Sequence, residues 1–581
     1  MKANTNRNEQ QFPVIKKRYI FIVFIFIAIS RLIIAQQLTS PIGIPLQLSG
    51  GFGDLRAGHF HAGIDVRTRS SEGHALLAVL NGYISRVSVS PGGYGLAVYV
   101  MHPDESILTV YGHLQRFTPF IAEIVKKEQY EKERFAVDIS FNPETFPVKQ
   151  GEIIGYSGNS GSSNGPHLHF EVRDIRTNEQ VDPLTFYKSN IPDTQKPLVR
   201  GLKIYPIAGK GIVNGSYNKQ NITFKLNAND QPVVSDTIDA WGEIGLGIRA
   251  TDRMNGTTFS YGIKDVLLTV DGMELFRSYL DRLLQDESKF INSYTDFEEW
   301  STNRTFYIKT FVDPGNNARF IASRNAGIIN INEERIYSAD ITLTDLYGNA
   351  CIFSIKIRGK PQTIASPDTN SAELMRWYNY NLLNAKGIRM SIQRNSLYNS
   401  VYIHNHISLE EKFDAPVHTI SPVPVPLHYP AQLSLFIDSV SAEIDARQFG
   451  IVQLFNSGTR MTWIGGLYRD GWIDTQIGEL GVFTVFHDVN PPKITPLEPS
   501  KWREKNKISI RISDDLSGIE SYRGEIDGAY ALFEYDSKNA LITYTFDSER
   551  LHPGDHLLRL AVTDRCGNKS EFSYQFSDGI K

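Results

Sequence analysis

From Ser40 to Tyr187 the chain is a succession of short apolar runs cut by Gly-rich turns, a punctuation that leaves room for little but a β-rich domain. Leu76–Val89 (broken at Asn81-Gly82), Leu96–His102, Ile107–His113 and His167–Arg173 are the expected strands. One stretch departs from this pattern. Ile121 to Arg134 carries Lys, Glu and Arg at a density that favours helix, and it reads as a surface helix with a solvated face, inserted over residues 117–147. The first unit is placed at residues 40–190.

At 581 residues the chain exceeds what one hydrophobic core supports, so three or four domains are expected. Beyond Asn190 the histidines thin out and two segments repeat each other at four points. Asp193-x-x-x-Pro197 matches Asp488-x-x-x-Pro492, and Thr251-Asp252 matches Ser513-Asp514. Asp271-Gly272 matches Asp527-Gly528, and Thr344-Asp345-Leu-Tyr-Gly348-Asn349 matches Thr563-Asp564-Arg-Cys-Gly567-Asn568. Asp-Gly and Gly-Asn pairs supply the positive φ angles of hairpin turns, and alternating runs such as Ile508–Ile512 and Leu557–Val562 supply half-buried strands. The two copies, residues 191–360 and 488–581, resemble bacterial immunoglobulin-like β-sandwich modules. The first carries an additional segment from about Glu274 to Arg335. Residues 361–487 form a third β-rich module, with the Pro-rich stretch Pro422–Pro426 and alternating runs at Ala431–Ile437 and Gly481–Phe486. An amphipathic Tyr/Asn-rich segment, Ala372–Ala385, is expected there as a helix. The fold class is therefore mainly β: an antiparallel β-sheet domain followed by two or three immunoglobulin-like β-sandwich modules.

Lys16-Lys17-Arg18 precede an apolar run from Tyr19 to Ile29, and Arg31 interrupts it before the about 20 residues that a spanning helix needs. Residues 1–35 thus read as a signal peptide cleaved after Ala35, or else as an N-terminal anchor. The rest of the chain is expected outside the cytoplasm, periplasmic or associated with the cell envelope, touching a membrane only through that segment if it is retained. A formal net charge of -4 lacks the basic footprint of nucleic-acid binding, which excludes nucleic acid as a partner. The two cysteines, Cys351 and Cys566, exclude a disulfide framework; they pair or stand as buried thiols, and any metal falls to histidine and carboxylate.

Seven of the fourteen histidines lie between His59 and His169, and that clustering points to a metal. The informative spacings are His61-Ala-Gly-Ile-Asp65 and His167-Leu-His169. Alternate residues of a strand share a face, so His61, Gly63 and Asp65 are expected to point one way, with the space above Gly63 left for the ion, and His167 and His169 likewise share a face. Hydrolytic zinc keeps three protein ligands and one position open to water. His61, Asp65 and His169 can fill such a set, with one Zn2+ per chain, although His59 lies two residues before His61 on what could be the same face. His167 and His113 are the candidates for moving protons and stabilising charge during hydrolysis. His404-Asn-His406 has neither a carboxylate motif nor a Gly-rich approach beside it, and reads as accidental.

With these residues in order, the stretch from about 40 to 187 resembles the catalytic domain of LytM/lysostaphin-type zinc metallopeptidases, which are peptidoglycan endopeptidases. The family's His-x-Gly-x-Asp stands as His61-Ala-Gly-Ile-Asp65, its Tyr-x-His-Leu as Tyr111-Gly-His113-Leu114, and its Gly-x-His-Leu-His-Phe-Glu as Gly165-Pro-His167-Leu-His169-Phe-Glu171. The resemblance implies zinc held by His61, Asp65 and His169, catalytic roles for His113 and His167, and a loop-walled groove for a peptidoglycan peptide. Residues 117–147 are longer than compact family members carry, and a helix there would shield or narrow the groove. An active endopeptidase is expected over a silent wall-binding protein or an activator of a partner hydrolase, because silent members lose ligands and all five positions are kept here. The β-sandwich modules are expected to position the enzyme or to bind a regulatory or scaffold protein.

Overall fold

The computed structural model describes residues 38–366, 372–438, 444–456 and 458–577; the segment read as signal peptide or anchor lies outside them. The chain is mainly β. The first unit contains β1 (Leu48–Gly50), β2 (Leu55–Arg56), β3 (His59–Phe60), β4 (Ile64–Arg67), β5 (Ala75–Leu77), β6 (Gly82–Val89), β7 (Leu96–His102) and β8 (Ile107–Phe117). Helix α1 (Pro119–Glu131) follows, then β9 (Val137–Ser140), β10 (Pro147–Val148), β11 (Ile153–Ser157), β12 (His167–Asp174) and β13 (Glu179–Val181). The main sheet runs β1-β4-β12-β8-β7-β6-β10, antiparallel throughout. The strand alternation decides its two faces. Leu168, Phe170 and Val172 of β12 join Ile64 and Val66 of β4 and Tyr111 of β8 in the core, which leaves His167, His169, Glu171 and Arg173 on the opposite face.

Helix α1 differs from the solvated surface helix expected of its charges. Ile121, Val125 and Gln129 are buried beneath it, and its other side meets the last module. Lys126 Nζ lies 2.8 Å from Asp547, Arg550 sits over the Tyr130 ring at 3.5 Å, and Arg523 reaches Glu133 at 2.6 Å. The charge run has partners, and they lie some 400 residues downstream.

Ten of the strands between residues 198 and 359 form one continuous sheet rather than two separate sheets. Its longest ladder joins Leu198–Val213 to Ile238–Thr251 and carries register shifts at Val199/Gly201 and Pro206/Gly211. Bulges bend long strands enough for one strand to serve both layers, and Ile238–Ala240 closes the path by pairing in parallel with Ile357–Gly359. The middle module, by contrast, has two five-stranded sheets around one core, and the last has two four-stranded sheets around another. The segment Ala372–Ala385 is not helical. It forms strands Glu373–Met375 and Asn381–Ala385, because the Asn381 side chain accepts from the Arg376 amide and donates to the carbonyls of Arg376 and Asn379, holding a turn where a helix would have to continue. Cys351 and Cys566 are both free and buried. No helix among the described residues is long and apolar enough to cross a membrane.

The additional segment of the first copy has a clear structural use: it clamps the first unit. Arg282–Leu284 adds a strand to β13, and upstream of the segment Lys264 Nζ pairs with Asp182 at 2.8 Å with both groups buried. Phe60, at the end of β3, leaves its own unit's core and enters the sandwich core, 5.7 Å from Tyr294 and 5.4 Å from Phe320, ring to ring. Its backbone amide donates to Ser288 Oγ. The residue that follows Phe60 is His61, so the downstream module fixes that histidine's approach. Truncating Phe60→Ala should cost about 3–5 kcal/mol of unfolding free energy in a denaturant titration.

Candidate metal centre

The ladder between β4 and β12 sets Asp65 directly opposite His169. On the other side of β12, His169 faces Gly112 of β8. A Cβ on Gly112 would lie 3.3 Å from Tyr94 Cδ1 and 3.4 Å from the His169 Cβ, so a side chain there would press first on the Tyr94 ring that stacks on His169. His113 reaches the same face by a bulge. Tyr111 pairs with Val98 and Leu114 with Leu96, so β8 spends three steps where β7 spends two, and His113 takes a positive φ of 62°. In a regular strand His113 would follow Tyr111 into the core; the extra residue turns it over to the histidine face.

Three buried donor atoms converge there. His61 Nε2 lies 3.0 Å from His169 Nδ1, and each lies 3.1 Å from Asp65 Oδ1. Tetrahedral N/O ligands 2.0–2.1 Å from zinc stand about 3.3 Å apart, so the triangle is close to the size that the ion requires. The ring protons agree. His61 Nδ1 donates to the Gly51 carbonyl at 2.7 Å, and His169 Nε2 donates to Glu171 Oε1 at 2.9 Å. Each ring therefore turns a lone pair toward the other and toward a carboxylate oxygen, an arrangement that calls for a cation at its centre.

The surroundings reinforce this charge pattern. Burial by itself would raise the Asp65 carboxyl, but His61, His167 and His169 hold it well below the usual carboxylate range, and Arg56 binds its other oxygen at 2.5 Å. Burial would likewise raise Glu171; the hydrogen bond from His169, the Arg173 guanidinium and the Tyr94 hydroxyl bring it down to about 2. Although burial disfavours charge on His169, Asp65 and Glu171 push it up to about 9, so a metal arriving there takes the place of a proton. Tyr94 stacks on the His169 ring at 5.2 Å.

His113 and His167 flank the triangle, with ring centroids 4.7 Å apart. His113 Nδ1 donates to the Ser160 carbonyl at 2.8 Å and His167 Nδ1 to the Gly165 carbonyl at 2.8 Å, which leaves both Nε2 atoms for chemistry. His167 Nε2 is 3.4 Å from Asp65 Oδ1. Burial, with His167 and His169 nearby, lowers His113 to about 3, so its ring is neutral at neutral pH.

The five residues singled out from sequence thus meet at one place, and their rivals lie elsewhere. His59 is exposed and bonds the Ala57 carbonyl. His74 bonds Ser71 and Thr68, His102 is buried between Asn81 and Thr109, and His404 and His406 are exposed. The expected role of Gly63 needs correction. His61 precedes β4 rather than lying on it, and the space above Gly63 is not left for an ion: a Cβ there would lie 2.3 Å from the Phe170 carbonyl oxygen. Glycine is required because the loop crosses β12 at contact distance. Sequence reasoning did not assign Arg56, Tyr94 and Ser160 to the site; Glu171, two residues beyond His169 on the same face, was within its reach.

The last module reaches the rim of this centre. Ser537 Oγ donates to the Pro91 carbonyl at 2.6 Å and the Lys538 ammonium to the Asn159 carbonyl. Helix α1 does not lie over the histidines; with the last module it walls a cleft of about 630 Å3 that begins at Ser160, the residue holding His113.

The model of peptidase family M23 matches residues 139–183, which contain His167, His169 and Glu171. A Zu5-like domain model matches residues 372–488. An uncharacterized metalloprotease of Haemophilus influenzae is 34% identical over 125 residues, 22% of this chain and 20% of that protein. The DD-carboxypeptidase/endopeptidase Mpg of Neisseria meningitidis serogroup B is 30% identical over 119 residues, 20% of this chain and 21% of that protein. The catalytic domain of lysostaphin from Staphylococcus simulans, among solved structures, aligns with 25% identity over 25% of this chain and 92% of that one, with a TM-score of 0.19. The chain spans about a fifth of the length of these curated relatives. Its first unit is a metallopeptidase-type domain. More narrowly, it is a domain of peptidase family M23, the LytM/lysostaphin type.

Glu171 accepts from His169 Nε2, the ring nitrogen turned away from His61 and Asp65, so if the candidate centre holds zinc, Glu171→Gln is expected to weaken its binding about 10- to 100-fold in a chelator competition.

Proposed function

We propose that this chain is a zinc-dependent endopeptidase, exported to the periplasm or cell envelope, that hydrolyses peptide bonds in the stem peptides or cross-links of peptidoglycan. The observation that carries this reading is the triangle of His61 Nε2, Asp65 Oδ1 and His169 Nδ1, with both ring tautomers set by outward hydrogen bonds. The Neisseria relative, a DD-carboxypeptidase/endopeptidase by name, supports peptidoglycan peptide as substrate, and the Haemophilus relative supports a metalloprotease.

His61, Asp65 and His169 would hold the ion, which when bound supplies Lewis acidity to a carbonyl and lowers the pKa of water toward about 7. The rest of the chemistry belongs to the side chains. Hydrolysis adds water across the C–N bond, so one proton must leave the attacking water and one must reach the departing amine. His113, its Nδ1–H on the Ser160 carbonyl and its Nε2 unprotonated, accepts the proton of the attacking water and passes it on to the departing amine. His167, its Nε2 on the same side and near Asp65, in its imidazolium form donates a hydrogen bond from Nε2 to the oxygen that gains charge as the carbonyl becomes tetrahedral. Both rings are held by backbone carbonyls, so neither has to reorganise when the proton moves.

A role as a silent wall-binding protein or activator is disfavoured by the presence of all five side chains in register. The contacts of Ser537 and Lys538 at the rim support a part for the downstream modules in positioning the enzyme or regulating access.

The test is digestion of purified peptidoglycan, with released peptides identified by mass spectrometry. His169→Ala should lose both zinc and activity. His113→Ala should retain zinc and lose about 100-fold or more in turnover. A His169→Ala chain that digests as fast as the parent would sink the proposal.

A further inference from the structure

Two groups of three aspartates lie outside the histidine centre, and they occupy equivalent positions in the two repeated modules: Asp193, Asp252 and Asp345, and Asp488, Asp514 and Asp564. In the first group Asp193 lies on the segment leaving the peptidase domain, Asp252 follows the strand Ile238–Thr251, and Asp345 follows the strand Ile336–Thr344. One oxygen from each lies within 4.8 Å of the others, and all three residues are more than nine-tenths buried, at 7%, 7% and 5% exposure.

Their hydrogen bonding is incomplete in a telling way. Asp193 Oδ1 accepts from the amides of Gln195 and Asn255. Asp345 Oδ1 accepts from Tyr347 and Asn349, and its Oδ2 from the Asn349 side chain. Asp193 Oδ2, Asp252 Oδ1 and the neighbouring Thr251 Oγ1 are buried with no partner at all. None of the three carboxylates makes an ion pair with a basic side chain among the described residues, and the nearby Arg253 pairs instead with Asp230 at 3.3 Å. Buried carboxylates crowded together without a counter-charge are strongly disfavoured. Burial, followed by the charge of Asp345, pushes Asp252 up to about 8.

We propose that Asp193, Asp252 and Asp345, with Thr251 beside them, form a binding site for calcium that fastens the exit segment of the peptidase domain to the first sandwich. The donor set is oxygen only, with neither histidine nor cysteine, which suits a hard cation rather than zinc. The three ligands come from three separate stretches of chain, so an ion there cross-links them. The same loop already grips the exit segment: Lys188 Nζ donates to the Leu346 carbonyl at 3.0 Å and the Tyr347 hydroxyl to the Ile191 carbonyl. Asp488, Asp514 and Asp564 repeat the arrangement without any orphaned oxygen, and no site is assigned to them.

The experiment is calorimetric titration of calcium chloride into the full chain after removal of metals, compared with Asp252→Asn and Asp345→Asn, alongside melting curves in calcium and in a chelator. The parent should take up one more calcium per chain than either variant at concentrations up to about 1 mM, the range of extracellular calcium modules. Calcium should raise its melting temperature more than theirs. In chelator Asp252→Asn should melt at or above the parent, because without the ion burial and Asp345 already disfavour charge on that carboxyl and an amide there loses nothing. Equal stoichiometry in parent and variants overturns the proposal, as does no uptake by the parent. A chelator-treated Asp252→Asn that is far less stable than the parent does so too, since the carboxylate would then serve the fold alone. None of these readouts depends on peptidase activity.

Discussion

Everything at the histidine centre depends on one antiparallel ladder, in which Asp65 of β4 and His169 of β12 stand opposite each other although 104 residues separate them. Their pairing is enforced from the other face. Ile64 and Val66 on one strand and Leu168, Phe170 and Val172 on the other are fully buried, and a slip of one residue would drive these side chains to the polar face and the histidines into the core. The hydrophobic core thus fixes the position of polar atoms that it never touches. The bulge in β8 is a local exception to the same rule, breaking alternation at one position so that His113 joins a face it would otherwise miss.

The third corner of the triangle is held differently. His61 lies beyond the end of β3, and its neighbour Phe60 packs among Tyr294 and Phe320 of the sandwich. With β13 extended by Arg282–Leu284 and the buried pair of Lys264 and Asp182, the first two units share a core boundary rather than a flexible tether. His61 is therefore positioned by residues more than 200 positions away. The additional segment of the first sandwich, which has no counterpart in the last, supplies those residues. On the opposite flank α1 and the last module meet through exposed ion pairs, which contribute little each, and through aromatic contacts of Tyr130.

Much of this was legible in the chain. Tight spacing and glycine-rich context singled out His61, Asp65, His113, His167 and His169 because chemistry demands particular residue types at particular strand offsets. Strand positions followed from alternation, and the paired Asp-Gly turns at Asp271 and Asp527 both adopt positive φ. The failures share a cause. Gly63 reads as room for an ion, yet the carbonyl it accommodates belongs to β12; the α1 segment reads as solvated throughout, yet Lys126 and the following Glu133 pair with the last module. Ala372–Ala385 has helical periodicity, yet Asn381 binds its own backbone as a turn. In the first two cases the deciding neighbour is distant in sequence.

The sequence by itself determined the all-but-complete β character, the identity of the five side chains at the centre and the internal repeat, because alternation, turn chemistry and ligand spacing are local properties of the chain. Only the tertiary structure decided that Asp65 stands opposite His169, that Glu171 and Gly51 set the ring tautomers, and that the repeated aspartates converge from three segments. Those outcomes depend on which strands pair and which modules touch, and such choices are made by the burial of apolar faces that meet only when the chain has folded.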